Sequence, residues 1–221
     1  MIRNQFFHLR RLREPEYRHL WLLTFWAVFG LWFLLTERFL PRDYHLVTCP
    51  LDARIPFCEW FVIPYVLWYG FVAAPVLVLL LTDVPAFRRM MYYIIITYGV
   101  VMVVYLVYPT CLNLRSTVFP RDNLPTRLVQ LLYRVDTPAN VCPSLHVVGS
   151  IAAALGLLEV PRLHRWRWAV ITLALLISIS TLFIKQHSLV DVATAVLLCA
   201  AAYPLVYRRK KTAAAPECRL S

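Results

Sequence analysis

Long apolar runs broken by short polar clusters organise this chain. Residues 20–36 make 17 consecutive positions without a charge, and 60–82 make 23. A third run starts at Met90 and stays apolar to about Tyr108, where Pro109 interrupts it. A fourth helix can begin at Pro143, a residue suited to a first helical turn, and reach Val160. A fifth covers 168–184 and a sixth about 187–207. Crossing a bilayer takes roughly 17–25 such residues. The pattern predicts an all-α polytopic membrane protein, a six-transmembrane-helix bundle over 20–207. A basic segment, 1–19, precedes it and a basic tail, 208–221, follows.

Composition agrees: 60% of residues are hydrophobic and 16% charged, which excludes an ordinary soluble globule. The net charge of +11 would suggest nucleic acid in a soluble protein. Here no basic groove interleaved with aromatics is present, and no nucleic-acid partner is expected. Instead the basic residues border the apolar runs. Five arginines in 1–19, Arg88 and Arg89, Arg162, Arg165 and Arg167, and Arg208, Arg209, Lys210, Lys211 and Arg219 fall on one side of a six-span chain. They are 15 of its 23 basic residues. The positive-inside rule then makes both termini cytoplasmic in a multi-pass cell-membrane protein.

The segment 1–19 sets Ile2, Phe6, Phe7, Leu9 and Leu12 among its arginines. That fits a short helix on an anionic membrane surface or a solvated basic tail. No cleaved signal peptide is expected. Six cysteines show no metal-like spacing. Cys49 and Cys58 share one outer loop, as a disulfide or as two free thiols.

One stretch departs from the apolar pattern. Ser180 to Asp191 reads S-T-L-F-I-K-Q-H-S-L-V-D and places Lys185, His187 and Asp191 beside a membrane span. Such groups are expensive in hydrocarbon and should face a protein interior or a wet cavity. On a helix, His187 and Asp191 four apart share a face, so the carboxylate can orient the imidazole. The predicted topology puts His146, in the first turn of helix four, at the same outer depth.

The long 109–145 loop adds Arg115, Arg121, Arg127 and Arg134 to that layer. Ser144 and the N–H groups opening helix four can bind an anion. With Lys185 and an arginine the layer suits a phosphate. His187 can then attack phosphorus to form a phosphohistidine. His146 can protonate the departing oxygen. Basic groups would stabilise the charge on the transferring phosphoryl. The scheme needs no metal or other cofactor, and no carboxylate cluster would hold one.

Pro143-Ser144-Leu145-His146 and His187-x3-Asp191 resemble the second and third signatures of the type-2 phosphatidic acid phosphatase superfamily, usually P-S-x-H and S-R-x5-H-x3-D. The strings D-T-P-A-N-V-C-P-S-L-H and K-Q-H-S-L-V-D are similar to a bacterial branch of it. The resemblance implies a six-helix core, a lipid phosphate substrate, and His187, His146 and Asp191 as nucleophile, acid and support. This sequence departs from the pattern at Thr181, where the third signature has arginine. Lys185, one turn later on the same helical face, can supply that charge. The first signature, K-x6-R-P, is reduced to Asn113-Leu114-Arg115-Ser116, with Tyr108 where its lysine would stand.

The expected function is hydrolysis of a phospholipid or polyprenyl phosphate or diphosphate at the extracytoplasmic face. Two alternatives stand beside it. One is phosphotransfer to an alcohol, as in enzymes resembling sphingomyelin or inositol-phosphoceramide synthases. The other is a non-catalytic lipid-binding or transport relative. Trp60, Tyr65, Trp68, Trp166, Tyr92 and Tyr93 read most simply as interfacial anchors.

Overall fold

The computed structural model describes residues 15–39 and 43–208. Most of the basic N-terminal segment and nearly all of the basic tail therefore lie outside the described residues. The regular structure of the described chain is nearly all helical: α1 (Thr24–Phe39), α2 (Val62–Thr82), α3 (Val84–Val107), α4 (Leu124–Val135), α5 (Leu145–Leu158), α6 (Arg167–Phe183) and α7 (Leu189–Tyr207). With their flanking 3-10 turns, five of these are long and apolar enough to cross a membrane: Tyr17–Glu37, Glu59–Thr82, Val84–Val107, Pro161–Phe183 and Leu189–Tyr207. The sixth expected span, α5, is shorter at 14 residues.

α3 is the central post. Phe87, Met90, Met91, Ile94, Tyr98 and Val101 along it are buried against α2, α5 and α7. Close approach is possible because the facing helices present small residues, Ala152 on α5 and Ala195, Cys199 and Ala202 on α7. α1 lies on the outside, with Phe25, Trp26 and Phe29 ringing Tyr98.

Several boundaries differ from the apolar pattern. α3 starts at Val84, six residues before the expected Met90, because Asp83 caps it by accepting the Ala86 N–H at 3.0 Å. Arg88 and Arg89 thus belong to the helix, and Arg89 pairs with Glu159. α5 starts at Leu145 with Ser144 as its N-cap residue, so Pro143 precedes the helix and does not open it. α7 starts at Leu189, which leaves His187 in the turn before it.

The 109–145 connection is structured. A two-residue parallel pairing joins His45–Leu46 to Thr110–Cys111. After it, α4 starts behind Asn123, whose side chain accepts the Thr126 N–H. α4 packs Val129 against Val62, Tyr65 and Ile184 at one end of the bundle.

Candidate active site

Two turns deliver the site, and neighbouring stretches of chain fix each of them. Before α5, the Thr110 hydroxyl accepts the N–H groups of Val141 and Cys142, both at 3.1 Å. Tyr105 donates its hydroxyl to the Pro143 carbonyl at 2.8 Å. Asn140 takes a left-handed backbone (φ 53°), which asparagine tolerates better than most residues. This clamped segment places His146 in the first turn of α5.

The second turn, between α6 and α7, is a Schellman closure: Lys185 N–H bonds to the Leu182 carbonyl and Gln186 N–H to that of Thr181. Its left-handed position, normally glycine, is Lys185 (φ 58°). Lys185 is therefore not on the α6 face shared with Thr181, contrary to the helical reading. His187 follows, and Ser188 with Asp191 forms a capping box for α7.

His187 Nδ1 lies 3.2 Å from Asp191 Oδ2, although only Asp191 is helical. The same oxygen accepts the Ser188 N–H at 2.9 Å. With Nδ1 as donor to the carboxylate, Nε2 of His187 keeps its lone pair. The His146 ring stands 5.7 Å from that of His187, centre to centre. Both histidines line a cavity of about 50 Å³ with Asp136, Asn140, Leu145 and Gln186 among its walls. Among the described residues, His146 Nε2, Asn140 Oδ1 and Asp191 Oδ1 are buried and find no hydrogen-bond partner. His146 and Asn140 line the cavity, so two of these unpaired atoms belong to its walls, where a polar guest could satisfy them.

The other expected site residues are placed differently. Ser144 donates its N–H to the Asp191 carbonyl at 3.1 Å, tying the two turns together. Its hydroxyl is buried without a partner among the described residues. Arg115 donates to the Tyr133 carbonyl (3.0 Å) and to Gln186 Oε1 (2.6 Å), one residue from His187. Its Nε is buried and likewise unpartnered there. Burial pulls the Arg115 guanidinium below its ordinary value, against the opposing pull of Asp136. Lys185 turns its ammonium to the carbonyls of Asp52 and Ile55, at 2.9 and 2.5 Å. Arg115, Lys185, Ser144 and Asp191 do not line the cavity.

Several contributors are not legible in the sequence. Of Tyr65 and Trp68, expected as interfacial anchors, Tyr65 stacks on His146 at 4.3 Å between centres and Trp68 lies tilted against it at 4.4 Å. Tyr65 is fully buried and donates to Asp136 Oδ2 at 2.9 Å. Tyr93 is buried too and donates to the Cys199 carbonyl, whereas Tyr92, Trp60 and Trp166 are exposed. Asp52 is the largest omission. Its carboxylate accepts the Ser188 hydroxyl and the N–H groups of Leu189 and Cys49, each at 2.8 Å. Cys49 and Cys58 are free thiols.

A family model described as the PAP2 superfamily matches residues 107–214, the stretch that carries both turns. Neither a search of curated proteins nor one of solved structures finds a match.

Proposed function

Since the chain belongs to the PAP2 superfamily, whose members are generally phosphatases, we propose that it hydrolyses a membrane lipid phosphate or diphosphate through a phosphohistidine on His187. The observation that carries this reading is the pairing of an Asp191-oriented His187 with His146 across one small cavity. Nε2 of His187 attacks phosphorus as the bond from phosphorus to the lipid oxygen breaks. That oxygen takes a proton from His146. Water then attacks the phosphohistidine and returns a proton to His146, releasing phosphate and neutral His187. Asp191 stabilises the positive charge that His187 acquires during attack.

The distribution of basic residues supports an extracytoplasmic position for this layer, with both termini cytoplasmic. A phosphate at head-group depth is then reached sideways from the bilayer. Phosphate release would be measured in detergent with chelator present, from phosphatidic acid, phosphatidylglycerol phosphate and a polyprenyl diphosphate. Release abolished by His187→Ala supports the reading. Release that survives His187→Ala sinks it.

One observation favours a second reading, transfer to an alcohol instead of water. Lys185 and Arg115 are both engaged by protein groups, which leaves the phosphate fewer cations than the full family pattern supplies. Product analysis with an added lipid or sugar alcohol separates transfer from hydrolysis.

A further inference from the structure

α4 carries three faces where an ordinary surface helix carries two. At about 100° per residue, Pro125, Val129 and Tyr133 point toward the protein, and Val129 is fully buried against Val62, Tyr65 and Ile184. Arg127, Gln130 and Arg134 make a polar row. Leu124, Leu128, Leu131 and Val135, spaced i, i+4, i+7, i+11, make a third row and are 70%, 40%, 55% and 75% exposed. The rows lie roughly 100–140° apart around the axis. A helix standing in water beside a bundle has no use for the third row. One lying at a membrane surface does: one face for the protein, one for hydrocarbon, one for head groups.

The neighbourhood supplies the same answer. α4 sits on the first turns of α2, where Trp60, Ile63, Val66 and Leu67 are exposed on a span-length apolar helix. Tryptophan concentrates at the boundary between hydrocarbon and head groups, so Trp60 marks that depth. The leucine row of α4 therefore adjoins a lipid-facing wall at the level where the acyl chains begin.

We propose that α4 is an interfacial anchor, with Leu124, Leu128, Leu131 and Val135 inserted among the phospholipid chains of the nearer leaflet and Arg134 among the phosphates, Arg127 being paired with the Asp122 carboxylate. The anchor reaches the site directly. Tyr133 of α4 accepts from Arg115 at its carbonyl and donates its hydroxyl to the Ile184 carbonyl at 2.6 Å. Asp136, at the end of α4, walls the cavity. Lipid contact along α4 thus holds the cavity rim at head-group depth. The proposal stands apart from the chemistry assigned to the histidines.

The test is photocrosslinking of the full chain in vesicles of phosphatidylcholine and phosphatidylglycerol, without turnover. A benzoylphenylalanine is installed at Leu131 or, separately, at Gln130. The expected result is protein heavier by one phospholipid when the probe is at Leu131 and no such adduct from Gln130. A Leu131 crosslink between two copies of the chain would overturn the proposal in favour of a protein interface. Absence of lipid adducts at Leu131, or equal adducts at both positions, would also overturn it.

Discussion

The carboxylate of Asp52 accepts the backbone N–H of Leu189 at 2.8 Å, joining positions 137 residues apart. A loop between the first two spans thereby grips the chain two residues after His187. Because Asp52 also holds Ser188 and Cys49, its removal strands several buried donors at once. Asp52→Ala is expected to lose on the order of 2–3 kcal/mol of stability, seen as a lower unfolding temperature in detergent. As a positioning residue it should lower kcat with little change in KM, and Asp52→Asn should restore part of the loss. A change confined to KM would remove that role.

Asp52 also sets a pH dependence. Burial pushes its carboxyl upward, but hydrogen bonds from the Leu189 and Cys49 N–H groups and the Ser188 hydroxyl outweigh this and hold it below the ordinary value. A depressed acid stabilises the fold above its unfolded value, about 3.9, and the contribution is lost as pH falls through the folded value. The unfolding temperature should therefore hold steady on this account down to about pH 4 and drop below it. Asp52→Asn should show a shallower drop over that acid range.

Lys185 occupies a left-handed position that disfavours side chains by roughly 1–2 kcal/mol. Lys185→Gly and Lys185→Ala both remove the ammonium that holds the Asp52 and Ile55 carbonyls. Only glycine relieves the backbone. The glycine variant should be about 1 kcal/mol more stable than the alanine variant, measured by thermal unfolding of the two side by side. If the ammonium serves the loop and not the substrate, Lys185→Met leaves KM for the lipid phosphate unchanged.

His146 as proton donor makes a demand on the leaving group. With a lipid alcohol departing, His146→Ala should lower the rate by about 10²–10⁴-fold. A nitrophenyl phosphate, whose leaving oxygen needs no proton, should be hydrolysed by the same variant with a far smaller loss. Equal losses on both substrates would assign His146 to binding.

Gly149, one turn past His146 on α5, is tightly enclosed. An added Cβ would meet the Tyr98 hydroxyl at 2.6 Å and Trp68 Nε1 at 3.0 Å, both on stiff rings. Gly149→Ala should cost about 1–3 kcal/mol and disturb the Trp68 ring against His146, lowering activity. At Gly156 the Cβ would meet the Met90 sulfur. A thioether can swing aside, so Gly156→Ala should cost less in the same unfolding assay.

Periodic features and neighbouring residues are legible in the sequence alone. The apolar runs mark the spans, and the ends of three of them bring His146, His187 and Asp191 to one layer. Contacts across long sequence separations leave no such trace. Nothing in L-D-A-R announces that Asp52 will cap a helix 137 residues away. Tyr65 and Trp68 sit where anchoring aromatics belong, and only packing shows that they lie against His146 instead. α4 does have a local signal, Asn123 followed by Pro125 and a leucine row, but the arginines and prolines of 109–145 read as loop. Lys185 reads as helical because a Schellman closure usually declares itself with glycine, and here it does not.

The length of α5 carries one more consequence. Fourteen residues of helix extend only about 21 Å, whereas the hydrocarbon core is roughly 30 Å thick. Its neighbours α2 and α3, with 21 and 24 residues, reach the full thickness. No residue of α5 is exposed, so its shortfall opens inside the bundle, between longer neighbours, and not at the lipid-facing wall. His146, in the first turn of the short helix, stands beside Tyr65 and Trp68, the fourth and seventh residues of α2, and so is recessed from the end of its longer neighbour. On the proposed function, the phosphate end of a lipid has to reach past the first turn of α2 to meet it, while the rest of the molecule stays behind at the rim.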